Sequence, residues 1–588
     1  MKQFFKFLLA STLGTILAFI VFGGIAIFFI TASVASASKK KSVRSNSILE
    51  LNFDQIIPEH TNNVQFSFGD FQTEKVLGIH EIAKTIEHAA QDDNIKGIYL
   101  KTNGVGGGLV KVDILREALE GFKAEGKFVF SHSKFYTQSA YLLASVSDKV
   151  YLNPMGMVDF RGFGGVLSFY KNLLDKADAK MQIFYAGKFK GATEPYRLTK
   201  LSEENREQLT EYVNSMYENY LENLSASRAI PIPKLRIMAD EYQGGSAESA
   251  LSAGLIDSIA YEDQVMDAIR AQLGIKKTKK IKTINLNDYR AAIELTSEDN
   301  SDNILAVVYA EGNILDGDTQ SGIITDGQYM EVAEKLRKEE DVKAVVLRIN
   351  SPGGSAMASE NIWRSFMLLR EAGKPVIISM GEYAASGGYY MAAAGEYLFA
   401  EENTLTGSIG VFRTIPSVEG MMKNKLGITI DTIQTGPFAT GFQLNKDLNP
   451  TQKRWMQADT ERTYKIFLQR VSDARDMTIE EVNEIAQGRI WTAERAKQNG
   501  LVDAIGDLQD AIEYAAQSAD LEDYRIKSYP RMKSPIEQIL EDIFNTEQAR
   551  AQAIQAELGD FYEHYQMLKS LQVAQGVQAM MPFRFEVE

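Results

Sequence analysis

Two kinds of apolar pattern run along the chain. The first is a single block, Phe7 to Val34, with no charged residue inside it. As a helix it would reach roughly 40 Å, more than the ~30 Å hydrocarbon core of a bilayer. It therefore predicts a membrane-spanning helix over about 7–34, within an anchor segment 1–46. Ala35-Ser36-Ala37 has the small-residue look of a leader cleavage site. The apolar block, however, far exceeds the roughly 7–15 residues of a secretory leader, so an uncleaved anchor is expected. Lys2 and Lys6 precede the block, while Lys39, Lys40, Lys41 and Arg44 follow it. Counted alone, those charges would put the body of the chain on the cytoplasmic side.

The second pattern alternates short β-branched runs with longer helical ones. It predicts βαβ units around a mostly parallel sheet, twice over. The first α/β unit spans 47–275 and the second 304–530. Between them, 276–303 carries Lys276, Lys277, Lys279, Lys280 and Lys282 and then the acidic and polar run Ser297 to Asn303. This reads as a solvated linker or an edge strand. From 531 to 588 a Glu-, Gln- and Ala-rich pattern predicts a tail of one or two surface or oligomerisation helices.

The two units are copies of each other. Ile95-Lys96-Gly97-Ile98-Tyr99-Leu100 returns as Val342-Lys343-Ala344-Val345-Val346-Leu347, about 247 positions later. Gly126-Lys127-Phe128-Val129 returns as Gly373-Lys374-Pro375-Val376, and Gly254-Leu255-Ile256-Asp257 as Gly500-Leu501-Val502-Asp503. Where the copies differ, chemistry is expected. The second copy has Ser351-Pro352-Gly353-Gly354-Ser355 where the first has Gly104-Val105-Gly106-Gly107-Gly108. Either loop exposes bare backbone that can approach a ligand. Ser386-Gly387-Gly388 faces Gln138-Ser139-Ala140, with either Gln138 or Ser139 opposite Ser386. Conversely Lys190, in Gly187-Lys188-Phe189-Lys190-Gly191, faces Ala439. One copy has kept a lysine, the other a serine.

Ser386 sits at a hinge. A β-branched strand begins at Val376, turns at Gly381 and gives way to a small-residue helix, Gly387 to Ala394. The helix start leaves amide N–H groups unpaired and favours negative charge. By itself this is also the pattern of an N-cap serine on a packing turn. A nucleophilic serine needs a base. The five histidines are His60, His80, His88, His132 and His564, none of them within the second copy. A Ser-His-Asp triad would need one to cross from the first copy or fold back from the tail. A lysine can replace histidine if burial lowers its pKa from ~10.4 towards neutrality. Lys190, between Phe189 and Gly191-Ala192, suits a partly dry site; otherwise it is an ordinary solvated lysine.

Composition narrows the field. At 588 residues several domains are expected. A net charge of −15 argues against nucleic acid. With no cysteine there is no disulfide framework, no thiolate metal site and no cysteine nucleophile.

Taken together, several motifs resemble the long, duplicated form of the signal peptide peptidase A (protease IV) family. They are Phe189-Lys190-Gly191-Ala192-Thr193-Glu194-Pro195, Asn350-Ser351-Pro352-Gly353-Gly354, Tyr383-Ala384-Ala385-Ser386-Gly387-Gly388-Tyr389 and Leu405-Thr406-Gly407-Ser408-Ile409-Gly410. The resemblance implies tandem crotonase/Clp-protease-like α/β domains behind an N-terminal transmembrane helix. It implies Ser386 as nucleophile, Lys190 as general base, Ser408 orienting the lysine, and Gly354 and Gly387 as the oxyanion hole. Gly353 and Gly388 would line the substrate path. Gly191 departs from the pattern, since many relatives carry serine there. No cofactor or metal is implied. The implied partners are peptide substrates, chiefly cleaved signal peptides, and the lipid bilayer. The implied assembly is a homotetramer on the outer, periplasmic face of the bacterial inner membrane. That placement overrides the charge count, because long domains translocate largely regardless of flanking charge. An inactive anchored scaffold, or an acyl-thioester enzyme of the same fold, are the rival readings.

Overall fold

The computed structural model describes residues 42–61, 63–67, 72–293, 301–318, 322–531 and 576–581, with isolated positions between 6 and 21 and at 554. The expected membrane span therefore lies almost wholly outside the described residues, as do the helices expected over most of 531–588. Among the described residues no helix is long and apolar enough to cross a membrane.

The β-branched runs form two mostly parallel sheets. In the first, the spatial order is Ser258–Ile259, Lys149–Val158, Phe128–Tyr136, Ile95–Leu100, Ser47–Leu51 and Lys282–Asn285, parallel throughout. In the second it is Ile490–Thr492, Leu405–Gly407, Val376–Ala385, Val342–Ser351, Ile304–Glu311 and Arg525–Tyr529, with only the first pair antiparallel. Parallel strands are covered on both faces, which is why they read as continuous apolar runs. Val376–Ala385 is buried at every position. Helix Ala356–Glu371 buries Ile362, Phe366 and Leu369 in the large apolar cluster of the second copy, and helix Leu508–Ser518 buries Leu508, Ile512 and Ala515 in a separate one.

One sequence reading is resolved here and another corrected. Of the linker and edge-strand readings of 276–303, the second holds for part of the stretch. Lys282–Asn285 pairs with Ser47–Leu51 as an edge strand, and Leu286–Ala292 buries Tyr289, whose hydroxyl donates to Asp92 at 3.1 Å. An edge strand tolerates the lysines because they stay solvated. The chain does not turn at Gly381. The strand runs on to Ala385 and absorbs Gly381 in a bulge, with Ile349 opposite Met380 but Ser351 opposite Ala384.

A third sheet joins the copies. Its order is Ile324–Thr325, Ile314–Leu315, Gly353–Ser355, Gln578–Met580, Val411–Ser417 and Lys180–Ala186. Lys180–Ala186 belongs to the first copy in sequence, yet it pairs antiparallel along the whole of Val411–Ser417 in the second. The tail also enters this sheet. Val577 and Ala579 alternate inward against the second-copy core, so this piece of the tail is strand rather than helix.

Buried charges lock the copies together. Arg348, fully buried, donates to Glu59 at 3.0 Å and to Glu401 at 2.9 Å, and Asn350 donates to Glu59 at 3.0 Å. Burial alone would raise the Glu59 pKa, but the Arg348 guanidinium holds it well below the usual carboxylate range. In the first copy, the Gly104–Gly108 loop opens helix Leu109–Ala124. The Leu109 and Val110 N–H groups donate to the Glu382 carboxylate at 3.1 and 3.2 Å. A Cβ on Gly108 would lie 1.8 Å from that carboxylate, so any larger residue would have to push the Glu382 side chain aside.

Candidate active site

The serine stands on a strained hinge. Strand Val376–Ala385 ends at Ser386, which caps helix Gly387–Ala392 with φ 57° and ψ −114°. Non-glycine residues rarely adopt such a conformation, and where they do the surroundings hold them there. Here the Ser386 N–H donates to Gly407 O at 2.7 Å, and its carbonyl accepts from Tyr390 N–H at 2.8 Å. In the first copy the equivalent backbone is an ordinary helix start. Tyr141 and Tyr389 donate to the matching Leu255 and Leu501 carbonyls, at 2.6 and 2.7 Å. That alignment puts Gln138, not Ser139, opposite Ser386.

Lys190 reaches the serine because its strand has crossed to the other copy. It stands four residues past Lys180–Ala186 and is fully buried. Its Nζ lies 2.7 Å from Ser386 Oγ, 2.9 Å from Ser408 O and 3.0 Å from Ser408 Oγ. Ser408 itself has φ 51°, a second strained serine, and its N–H donates to Arg489 O at 2.7 Å. Among the described residues no carboxylate pairs with Lys190. Burial is what drives its pKa well below the ordinary lysine value. A neutral amine has two N–H groups and one lone pair. With both N–H groups given to Ser408 O and Oγ, the lone pair faces the Ser386 hydroxyl.

A cradle unseen in the sequence fixes the lysine. Phe189 N–H donates to Gln487 O at 2.8 Å, and the Gln208 amide donates to Phe189 O at 3.0 Å while accepting from Ile490 N–H. Gly488, at φ 78°, lies so close that a Cβ there would stand 2.8 Å from the Lys190 backbone nitrogen. Buried Glu194 accepts from Ser202 Oγ at 2.5 Å and from Asn205 Nδ2 at 3.2 Å. Asn205 also explains Gly191, since a Cβ at Gly191 would meet the Asn205 amide at 2.2 Å. A side chain at position 191 would have to displace that amide. Glu194 lies inside a motif quoted for the resemblance, but Asn205 and Gln208 carry no local signal.

Three of the glycines lie close to one another beside the serine. A Cβ on Gly387 would lie 3.1 Å from the Gly354 nitrogen, and one on Gly353, at φ 103°, would lie 2.8 Å from the Gly387 nitrogen. The Gly354 and Gly387 backbones therefore meet beside Ser386. Gly388 makes room instead for the Ser351 carbonyl, 2.7 Å from where its Cβ would be. The histidines are engaged elsewhere: His60 stacks on Tyr309, His80 faces Glu59, His88 meets Tyr289 and His132 meets Ala260 O. His564 lies outside the described residues.

A model of peptidase family S49 matches residues 121–276 and 369–522, one stretch in each copy. The chain is 36% identical to Protease 4 of Salmonella typhi over 82% of this chain and 78% of that protein. It is 32% identical to Protease 4 of Haemophilus influenzae, covering 85% and 83% respectively. It is 31% identical to the chloroplastic serine protease SPPA of Arabidopsis thaliana, covering 84% and 72%. Among solved structures, a mutant ClpP1 of Listeria monocytogenes aligns at a TM-score of 0.22 and 15% identity, covering 35% of this chain and 94% of that one, a likeness too slight to bear on the fold.

Proposed function

Since the chain belongs to peptidase family S49, with the family domain present twice, and is a serine protease, we propose that it works through a Ser386–Lys190 dyad. The observation that carries this is a lysine amine, buried without a counter-charge, 2.7 Å from the hydroxyl of a strained serine. Neutral Lys190 takes the Ser386 proton as Oγ attacks the scissile carbonyl. The Gly354 and Gly387 N–H groups hold the oxyanion; losing one such donor typically costs about 10²–10³ in rate. Lys190 then protonates the leaving amine, and water hydrolyses the acyl-enzyme. Ser408 keeps the amine aimed. An inactive scaffold would have no use for a lysine held in this desolvated state.

The substrates we infer are remnant signal peptides and other unfolded apolar peptides. The enzyme would be tethered by the apolar block 7–34 to the bacterial inner membrane, with its body on the periplasmic side, as a homotetramer of tandem crotonase/Clp-like domains. These finer points rest on the resemblance of the motifs and on the length of the apolar block. The test is hydrolysis of a peptide ester by purified full-length protein in detergent. Ser386→Ala and Lys190→Ala should each fall to background while keeping the wild-type circular dichroism. Full activity in either variant removes the dyad.

A further inference from the structure

Five lysines crowd one short stretch of a chain whose net charge is −15: Lys276, Lys277, Lys279, Lys280 and Lys282. Protection of the sheet edge accounts for one of them. Charged side chains guard an open edge from positions on the strand itself. Lys282 lies on Lys282–Asn285, but the others precede it and are exposed. They stand on a turn in which Lys279 N–H donates to Lys276 O at 2.9 Å, and Arg270 Nε donates to Lys279 O at 3.0 Å. Ile275 before the turn and Ile281 after it pack into the apolar cluster around Ile48, Phe128 and Ile269. The turn is therefore pinned at both ends, and its lysines are held out as a group. Asp267, already bound to Arg270 at 2.7 Å, meets Lys277 at 3.2 Å, and among the described residues no carboxylate pairs with Lys276, Lys279 or Lys280.

This turn lies where the chain comes in from the apolar block. Ser47 stands opposite Lys282 in a parallel ladder. Residues before Ser47 and residues before Lys282 therefore leave the sheet through the same edge. Hydrogen bonds tie the two together there. Lys282 Nζ donates to Ser45 O at 2.8 Å, and Ser47 Oγ donates to Arg44 O at 2.6 Å. From Val34, the end of the apolar block, to Ser42 the chain can span at most about 29 Å.

We propose that the basic turn at 276–280, with Lys282, is a docking surface for anionic phospholipid headgroups, lying against the bilayer that the apolar block crosses. This rests on the anchored reading above and adds a fixed face to it. The body is held by this edge of its first sheet instead of turning freely on its tether. A lysine beside an anionic membrane surface gains roughly five-fold in association, and the gain fades within about 10 Å at 0.1 M salt. Nucleic acid offers similar phosphates, but it meets a strongly acidic body and has no tether to bring it to this turn.

The test is acetylation of lysine amines on full-length protein reconstituted in vesicles, read lysine by lysine by peptide mass. One set of vesicles is pure phosphatidylcholine, and the other has phosphatidylglycerol mixed in. Lys276, Lys279 and Lys280 should react about five-fold more slowly on the anionic vesicles and regain the neutral-vesicle rate at about 1 M salt. Exposed Lys497, in the second copy, should react alike on both. The proposal is overturned by equal rates at the turn on the two vesicles, by slowing that survives the salt, or by equal slowing of Lys497. It is also overturned if a DNA oligonucleotide, added to the protein in neutral vesicles, slows the turn as much as the anionic lipid does. Flotation with neutral vesicles after a high-salt wash is run alongside. A protein that does not float with them overturns the anchor instead, and this proposal falls with it.

Discussion

In the proposed mechanism Lys190 carries the chemistry by being deprived of water and, among the described residues, of a counter-charge. Its depressed pKa has a sign that can be checked. The reactive form is the neutral amine, so kcat/KM should be lost as pH falls through the Lys190 pKa and reach its plateau well below the ordinary lysine value. A rate-against-pH profile on a neutral ester reads this directly. Ser408→Ala removes one of the two acceptors that aim the amine and leaves the Ser408 carbonyl in place. We expect a loss of roughly 5–30-fold in kcat, corresponding to about 1–2 kcal/mol for one hydrogen bond, with KM little changed. The serine and the lysine were both legible in the sequence, because each stands where the other copy lacks it. Asn205 and Gln208 were not. They sit on a helix some distance down the chain, and their side chains bond to the lysine loop only after that helix has packed.

Elements deliver these residues through backbone features that a side chain would spoil. Gly488 is the clearest case: its positive φ and its contact with the Lys190 backbone leave no room for a Cβ. Gly488→Ala should shift the lysine loop, and a displacement near 1 Å can cost about 10² in rate. Steady-state kinetics beside a thermal melt would separate that loss from unfolding. The start of helix Leu109–Ala124 offers a second case. Its N–H groups bond Glu382, whose carboxyl is pushed up to about 8 by burial. Between its ordinary value of 4.5 and about 8 the unfolded chain binds less proton there than the folded one. Stability should therefore decline as pH rises through that window, and Glu382→Gln should flatten the decline in urea midpoints. The sequence marked Gly104–Gly108 as a loop able to approach a ligand. What approaches it is a side chain of the other copy, a contact that no local pattern encodes.

At the scale of the whole molecule, duplication explains why one chain can hold a divided site. The strand Lys180–Ala186 crosses to the second copy, and Arg348 binds Glu59 and Glu401 from both sides of the boundary. Arg348→Met would take the nearest counter-charge from buried Glu59, leaving it Asn350, His80 and Lys111, at a cost of about 3–5 kcal/mol for a broken buried pair. Because that pair ties the copies together, both should unfold earlier in a single shifted denaturation curve. The repeat, the α/β class and the family were readable from recurring motifs. The edge strand at Lys282–Asn285 was one of two readings left open, and the tail strand at Gln578–Met580 was misread as helix, because both are short and polar or mixed, and each is fixed by the strand beside it. The account turns on a neutral lysine activating a serine across the two copies. Labelling by a serine-directed fluorophosphonate, with the adduct located by peptide mass, tests it most directly. The account predicts an adduct on Ser386 that forms faster as pH rises and is abolished in a folded Lys190→Ala variant; labelling of Ser386 at an unchanged rate in that variant would contradict it.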